Sequence, residues 1–295
     1  MAATAGAPCN PYVLQNRHND SMRKRYLLSR RLARVLALTG IALVTCAHGA
    51  PQAGIRSVRH VNPNVLWHLV HGRCVPAARH HHYPPRPCVE VSAPPGHFER
   101  GYAVLKDIKG RYQYLVLPLT RIAGIESPAV LEPGAPNYFA DAWTARLYVE
   151  AALHETVPRD ELSLAVNSRY GRTQNELHIH VDCIRPNVRR ALRRVESAIT
   201  GHWNRLPTPL LHHAYQAKWI GGTSLTINPF RSLATALPDG TQMGLYGLAV
   251  IGAYSSAGKP GFVLLATRAD IARGDDGSAE ELQDRSCAIT RRVQH

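Results

Sequence analysis

Ionisable side chains alternate with apolar ones between Asn175 and Cys183. In an extended strand, alternate side chains point to opposite faces, so one face of this segment would be ionisable and the other apolar. The side chains that share the ionisable face are Glu176, His178, His180 and Asp182. Because burying such groups without partners is costly, the segment is either a solvent-facing edge strand or a strand that performs chemistry.

Two chemistries suit this row of side chains. His178 and His180 could both reach one zinc ion, but Cys183 points to the opposite face and the sequence has no HExxH pattern. Alternatively, a neutral imidazole could attack phosphorus, provided that one ring nitrogen is free and a hydrogen bond holds the other. Glu176 or His180 could supply that hydrogen bond to His178. The turn before the strand favours this second chemistry.

That turn carries groups that bind phosphate. Gly171 allows the backbone to approach an anion closely, and Arg169 and Arg172 bring guanidinium groups that match phosphate oxygens. The neutral side chains that suit phosphate or ribose are those of Asn167, Thr173 and Gln174. An ordinary hairpin turn could have the same composition, but its place directly ahead of His178 indicates a phosphoryl site.

Strands and helices around the turn would position it. Alternating patterns predict strands at 102–106, 111–117, 162–167, 177–184, 247–253 and 262–266. Helical spacing predicts one helix from Asn137 that ends before Pro158, with an aromatic core face, and a second over 187–200. Ser278 and Glu281 resemble a capping box that opens a last helix. The mixture agrees with an α+β fold.

The chain is strongly basic, with a formal net charge of +14 over 295 residues. This sign favours nucleic acid, an acidic membrane surface or a phosphorylated small molecule as partner. Because no RNA-binding signature or zinc-finger spacing accompanies the charge, we expect no nucleic-acid partner. One face of the predicted helix 187–200 indicates a solvated surface or, alternatively, contact with acidic phospholipid. Its basic residues are Arg189, Arg190, Arg193 and Arg194.

Residues 1–50 have the layout of an export signal or a short membrane anchor. A basic segment from Arg23 to Arg34 precedes an apolar stretch from Val35 to Ala47, and small residues with Pro51 follow. A helix needs about 20 residues to cross the hydrocarbon core, so this shorter stretch suits a cleaved signal better than a permanent anchor. We therefore expect the rest of the chain to lie outside the cytoplasm.

Export would determine the state of the cysteines. Four remain beyond the N-terminal segment, and an oxidising compartment would pair them, which makes a catalytic thiol unexpected. They are Cys74, Cys88, Cys183 and Cys287. Of the three connectivities, we favour the local pair Cys74 with Cys88, which leaves Cys183 to bind Cys287.

Residues 51–100 are rich in proline and contain the tract His80-His81-His82. This composition predicts an extended connector, pinned by one disulfide rather than packed, with ordered structure from Gly101. Three adjacent histidines on an extended backbone cannot easily bind one metal, so we interpret them as solvated.

The string from Ser163 to Pro186 resembles a known family. Gly-x-Thr ahead of the histidine strand is similar to the histidine-triad hydrolases and transferases, in which the middle histidine attacks the α-phosphorus of a nucleotide. The longer string resembles the CDP-diacylglycerol pyrophosphatase branch, and the likeness covers roughly residues 68 to 290. It also includes Gly101–Asp107, Glu126–Pro128, Phe262–Thr267, Ser278–Asp284 and Cys287.

The resemblance implies a fold and residue roles. The fold would be a histidine-triad antiparallel sheet with flanking helices over residues 101–290. His178 matches the nucleophile, His180 the third histidine and Thr173 the phosphate-contacting residue. Glu176 stands where the first histidine is usually found, so it would orient His178 differently, either by raising the imidazole pKa or by replacing a hydrogen bond.

The implied reaction has two displacements on CDP-diacylglycerol. His178 attacks the cytidylyl phosphorus, phosphatidate leaves, and water then releases CMP. No metal or cofactor is required, because Arg169, Arg172 and backbone N–H groups would stabilise the phosphoryl oxygens. Lys106 and Arg185 are further candidate anion contacts, with surface salt bridges as the alternative.

A lipid-linked substrate implies a place at the periplasmic face of a bacterial inner membrane. Two alternatives stay open. The same histidine chemistry could act on a soluble nucleotide conjugate, or the turn could hold an anion in a periplasmic binding protein without chemistry.

Overall fold

One sheet, in which every strand pairing is antiparallel, dominates the part of the chain that the structure describes. The structure is a computed structural model that describes residues 62–238 and 240–291. The strands are β1 (Cys88–Ser92), β2 (Tyr102–Lys106), β3 (Tyr114–Pro118), β4 (Leu162–Val166), β5 (Ile179–Cys183), β6 (Asn204–Arg205), β7 (Tyr215–Gly221), β8 (Tyr246–Tyr254) and β9 (Pro260–Arg268). They lie in the order β1-β2-β3-β5-β4-β8-β9-β7-β6.

Short helices accompany the sheet. They are α1 (Val65–Leu69), a π-helical turn (Val70–Cys74), α2 (Val75–Arg79), α3 (Tyr138–Leu153), α4 (Pro186–Arg194) and α5 (Pro229–Ala234). The predicted α+β fold with an antiparallel sheet is confirmed. The predicted signal or anchor at 1–50 lies outside the described residues. Among the helices that are described, none has the length and apolar character needed to span a bilayer.

Helix α3 covers one face of the central strands. It begins at the predicted place, because the Asn137 side chain accepts a hydrogen bond from the Ala140 N–H at 3.3 Å. It ends before His154, which adopts a left-handed conformation with φ 58°. Phe139 and Trp143 are buried against the sheet, which confirms that these aromatics belong to the core.

The opposite face carries His180 of β5 between two apolar clusters, and His178 lies just before the strand. Leu115 and Ala165 flank His180 on the neighbouring strands. Leu115 belongs to a cluster with the N-terminal helices, and Ala165 to a second cluster that includes Leu192 of α4. The central position of β5 therefore buries its ionisable face as well as its apolar one, so an edge strand is ruled out.

The prediction of an unpacked connector up to residue 100 is wrong from residue 65 onward. Val70 and Val75 are buried against β2 and β3, and β1 forms one edge of the sheet. The proline content misled the prediction, since Pro76 lies in the first turn of α2, a helix position that tolerates proline. The tract from His80 to His82 is exposed, as predicted.

The disulfides Cys74–Cys88 and Cys183–Cys287 confirm the favoured connectivity. The first joins the N-terminal helices to β1. The second joins the end of β5 to the C-terminal segment, which brings residues 278–287 against the centre of the sheet.

Three further predictions need correction. The second helix ends at Arg194 rather than residue 200. The Arg189 and Arg193 side chains of that helix contact Asp160 at 2.5 and 2.8 Å, so its arginine face is partly ion-paired. The capping box does not form, because the Ser278 hydroxyl donates to the Asn167 side chain and only a 3₁₀ turn follows.

Candidate active site

The backbone fixes the ring of His178 just before β5. Its Nδ1 atom lies 2.6 Å from the carbonyl oxygen of Glu176. Because a carbonyl oxygen only accepts hydrogen bonds, Nδ1 must carry the proton, and Nε2 of the neutral ring keeps its lone pair. Burial lowers the pKa of His178, although the Glu176 carbonyl opposes this effect. His178 is therefore held in the tautomer that a nucleophile at phosphorus needs.

Glu176 acts on His178 through its main chain rather than its side chain. The side chain is buried, with 1% of the residue exposed. Burial raises the pKa of its carboxyl group to about 8, although the Arg121 charge and the Ile122 backbone N–H lower it. A carboxyl group that is neutral near pH 7 supplies no charge that could raise the imidazole pKa. Glu176 was expected either to raise the imidazole pKa or to replace a hydrogen bond, and the structure shows the hydrogen bond, made by its carbonyl oxygen.

His180 stands against His178, with ring centroids 4.9 Å apart and the planes at 68°. Its Nε2 lies 3.4 Å from a carboxylate oxygen of Glu280. Among the described residues neither ring nitrogen makes an aligned hydrogen bond. Burial and the neighbouring His178 lower the pKa of His180, and although Glu280 opposes them the result is a pKa of about 3. His180 is therefore a neutral ring in the free site.

Glu280 organises the groups behind His180. It accepts hydrogen bonds from Arg285 at 2.6 Å, from Gln113 at 3.2 Å and from the Asn167 amide at 3.3 Å. Burial raises the pKa of Glu280, but His180 and Arg285 lower it to about 2, so the group is ionised. The sequence likeness included Glu280 without a role, because no local pattern brings it near β5.

Asn167 holds the predicted phosphate turn to the C-terminal segment. Its side-chain oxygen accepts the Glu280 N–H at 3.0 Å and the Ser278 hydroxyl at 3.1 Å. Gly171 lies close to the same segment, where a Cβ atom would come within 3.2 Å of the Asp276 carbonyl oxygen. Asn167 and Gly171 therefore shape the turn, and Asn167 is 6% exposed.

The two arginines of the turn have different surroundings. Arg172 binds both carboxylate oxygens of Glu126, at 2.6 and 2.5 Å. Gly124 makes room for this pair, since a Cβ atom there would meet the Arg172 guanidinium at 2.2 Å. Arg169 is exposed, and its guanidinium lies 5.5 Å from the centre of the Tyr170 ring. Arg172 therefore braces the turn, whereas Arg169 can turn toward an anion.

Three other side chains that were predicted to contact an anion bind the protein itself, and a fourth, Thr173, does not bind any of the described residues. Thr173 is exposed, and the Gln174 side chain binds the backbone of Asn62 and Leu66, which fastens the N-terminal segment to the turn. Lys106 donates to the carbonyl oxygens of its own hairpin, and Arg185 donates to the Glu281 carbonyl. The structure brings His178, His180, Asn167 and Gly171 together, but Gln174 and Arg185 bind elsewhere.

One group of side chains has the spacing of a metal site. Donor atoms of Asp107, His180 and Glu280 lie within 4.8 Å of one another. Arg285 already compensates the Glu280 charge, and Asp107 accepts the Lys109 N–H at 3.0 Å. Arg285 and the Lys109 N–H are therefore already partners of the two carboxylates in this group.

Asp182 completes the ionisable row of β5. It is fully buried beside the Cys183–Cys287 disulfide, and it accepts the Cys183 N–H at 2.8 Å. Burial raises the pKa of Asp182 to about 8. The disulfide leaves no thiolate beside Asp182, so this end of the row is not a metal centre.

Two cavities lie apart from the histidines. One, of about 990 Å³, is lined by His212, His213 and Tyr215 among others. The other, of about 780 Å³, lies beside α4, with Leu192 and Trp219 in its wall. Neither cavity is lined by His178 or His180. The candidate active site is therefore identified from the chemistry of the histidine pair and its neighbours, not from a cavity.

Two comparisons with known proteins cover most of this chain. A family model described as CDP-diacylglycerol pyrophosphatase matches residues 61–291, a range that contains all nine strands and both histidines. A protein named CDP-diacylglycerol pyrophosphatase from Yersinia pestis is 41% identical over 254 residues, which are 85% of this chain and 93% of that protein. This chain belongs to the CDP-diacylglycerol pyrophosphatase family of hydrolases.

Proposed function

We propose that this protein hydrolyses the pyrophosphate bond of CDP-diacylglycerol through a nucleotidyl-histidine at His178. The family and the Yersinia pestis relative support the substrate. The observation that carries the mechanism is the 2.6 Å contact from His178 Nδ1 to the Glu176 carbonyl oxygen, because it places the proton on Nδ1 and leaves Nε2 with its lone pair.

In the first displacement, the Nε2 lone pair forms a bond to the cytidylyl phosphorus, and the bond to the bridging oxygen breaks. Phosphatidate leaves with that electron pair. The histidine ring then carries a positive charge, which the Glu176 carbonyl oxygen stabilises through the Nδ1 proton. In the second displacement, water attacks phosphorus, the N–P bond breaks and CMP leaves.

Charge on the phosphoryl oxygens needs donors on the turn side of the site. Arg169 is the exposed guanidinium of that turn. The Gly171 N–H already donates to the Ser168 hydroxyl at 3.2 Å, so Gly171 shapes the turn and Arg169 is the donor. Arg172 contributes indirectly, because its pair with Glu126 holds the turn in place. His180 and Glu280 pack behind the nucleophile and limit its rotation.

The setting we propose is phospholipid metabolism at the periplasmic face of a bacterial inner membrane, in a fold of the histidine-triad type. Two disulfides suit an oxidising compartment. A diacylglycerol tail would keep the substrate in a bilayer, where a basic protein is attracted to anionic lipids.

The test uses CDP-diacylglycerol labelled in the α-phosphate, with rapid quenching to trap label on the protein. Wild type should release CMP and carry transient label, and His178→Ala should do neither. His82→Ala is the matched control, because His82 is an exposed loop histidine. CMP release that survives His178→Ala would place the chemistry elsewhere. Faster turnover of a soluble nucleotide conjugate, or binding without turnover, would support one of the two alternative functions.

A further inference from the structure

The hairpin between β2 and β3 presents an apolar side chain to solvent. Ile108 is 97% exposed, more than any other large hydrophobic residue among those described. Its neighbours Lys109 and Arg111 are also exposed, and the Arg111 guanidinium lies 5.2 Å from the centre of the Tyr112 ring. An isolated exposed isoleucine is common on protein surfaces, so its meaning depends on its surroundings.

The hairpin holds Ile108 rigidly. The Lys106 ammonium donates to the carbonyl oxygens of Asp107 and Gly110, at 2.9 and 2.5 Å. The Asp107 N–H donates to the Gln113 carbonyl oxygen at 3.1 Å. Gly110 is buried, and a Cβ atom there would lie 2.6 Å from the Gln113 side chain. Ile108 is therefore a fixed projection.

The root of the hairpin is part of the active-site wall. The Asp107 carboxylate lies within 4.8 Å of donor atoms of both His180 and Glu280. Gln113, at the other end of the hairpin, donates to Glu280 at 3.2 Å. A surface that binds the tip of this hairpin would therefore lie near His178 and His180.

The charge around this projection favours an anionic surface. Residues 106–112 contain three basic side chains and one acidic side chain. Arg285, which pairs with Glu280 behind the hairpin, leaves 46% of its side chain exposed. On the phosphate turn, Tyr170 is 49% exposed beneath Arg169. An apolar tip with basic and aromatic neighbours is typical of segments that enter the interface of anionic bilayers.

We propose that the β2–β3 hairpin docks this protein on an anionic lipid bilayer, with Ile108 inserted among the acyl chains and Lys109 and Arg111 bound to lipid phosphates. Docking there places the histidine pair beside a substrate whose tail stays in the membrane, so the inference rests on the proposed lipid substrate. The arginine face of α4 suits this role less well, because Asp160 already binds Arg189 and Arg193.

The experiment measures how deeply position 108 enters a membrane. Ile108→Trp and the matched control Ile271→Trp are prepared in the full chain; Ile271 is 55% exposed and also lies near basic residues. Each is mixed with vesicles of equal parts phosphatidylcholine and phosphatidylglycerol that carry brominated acyl chains, which quench inserted tryptophan. Both variants keep the N-terminal segment, so any attachment through that segment affects them equally.

Ile108→Trp should lose most of its added emission, and Ile271→Trp should keep it. The loss should shrink at high salt and in vesicles without phosphatidylglycerol, because screening weakens the attraction of basic side chains to lipid phosphates. Equal quenching of the two variants, or no quenching at position 108, would overturn the inference. The vesicles contain no CDP-diacylglycerol, so failure here is separate from failure of wild type to hydrolyse that substrate.

Discussion

His178 receives its orientation from the main chain of Glu176, since Nδ1 lies 2.6 Å from that carbonyl oxygen. Because the contact is to the main chain, any residue at position 176 could hold the His178 ring in this way. The Glu176 side chain takes no part in this contact and is buried.

Glu176→Gln should retain most activity, because the backbone hydrogen bond to His178 persists and the native carboxyl group is already neutral near pH 7. The pKa of Glu176 is raised from 4.5 to about 8 in the folded state. Above pH 4.5 the unfolded chain therefore loses this proton first, and wild type loses stability as pH rises toward 8. Glutamine does not titrate, so between about pH 5 and about pH 8 the free energy of unfolding of the variant should rise by on the order of 3 kcal/mol relative to that of wild type.

Urea unfolding of both proteins with disulfides intact, at about pH 5 and about pH 8, measures this difference. Asp182 titrates in the same range but is common to both proteins. The same stability gap at both pH values would show that Glu176 is not protonated in the folded state.

Glu280→Gln should slow the reaction by roughly 10- to 100-fold through kcat, because Arg285 and Gln113 would lose the carboxylate that holds them behind His180. Burial lowers the pKa of both histidines, and Glu280 opposes that effect. Its loss should lower both pKa values, so the acid limb of the kcat/KM profile should move to lower pH. Glu281→Gln is the control, since Glu281 instead accepts hydrogen bonds from His213 and Tyr215. An unchanged profile would leave Glu280 with a structural role alone.

The pair of Arg172 with Glu126 should behave as one unit. Arg172→Lys cannot form both contacts at 2.6 and 2.5 Å, and Glu126→Gln removes the charge. Each change should lower the free energy of unfolding by about 1–3 kcal/mol and raise KM, and the double variant should lose little more than either single one. Equilibrium unfolding in a double-mutant cycle tests this, with Arg205→Lys, exposed on the edge strand β6, as the control that should combine additively. Additivity between Arg172 and Glu126 would mean that the pair does not brace the turn.

The two disulfides should differ in their effect on activity. Their sequence separations are 14 and 104 residues, so chain entropy predicts stabilisation of about 3 and about 4.7 kcal/mol. Cys183→Ser with Cys287→Ser also releases the segment that carries Glu280, so kcat should fall at temperatures where the protein is still folded. Cys74→Ser with Cys88→Ser provides the comparison. Equal kcat in the two double variants would contradict the role assigned to the C-terminal segment.

Local patterns predicted much of the framework correctly. Alternation identified the β5 row that contains His178 and His180, and the helical spacing after Asn137 located α3 together with its cap. The pairing of Cys74 with Cys88 also followed from sequence distance. These features depend on residues close together in the chain, whose backbone periodicity leaves a readable pattern.

By itself the sequence predicted the histidine strand, the turn ahead of it and the family, because the string from Ser163 to Pro186 contains the pattern for all three. Only the tertiary structure decided which groups surround His178. Glu280 lies beside His180 although 100 residues of chain separate them, and Arg172 binds Glu126 across 46 residues. The N-terminal helices pack because β2 and β3 offer them an apolar face. Such contacts depend on the order and register of the strands. Order and register follow from burying the apolar faces of all the strands together, which no local pattern in the sequence shows.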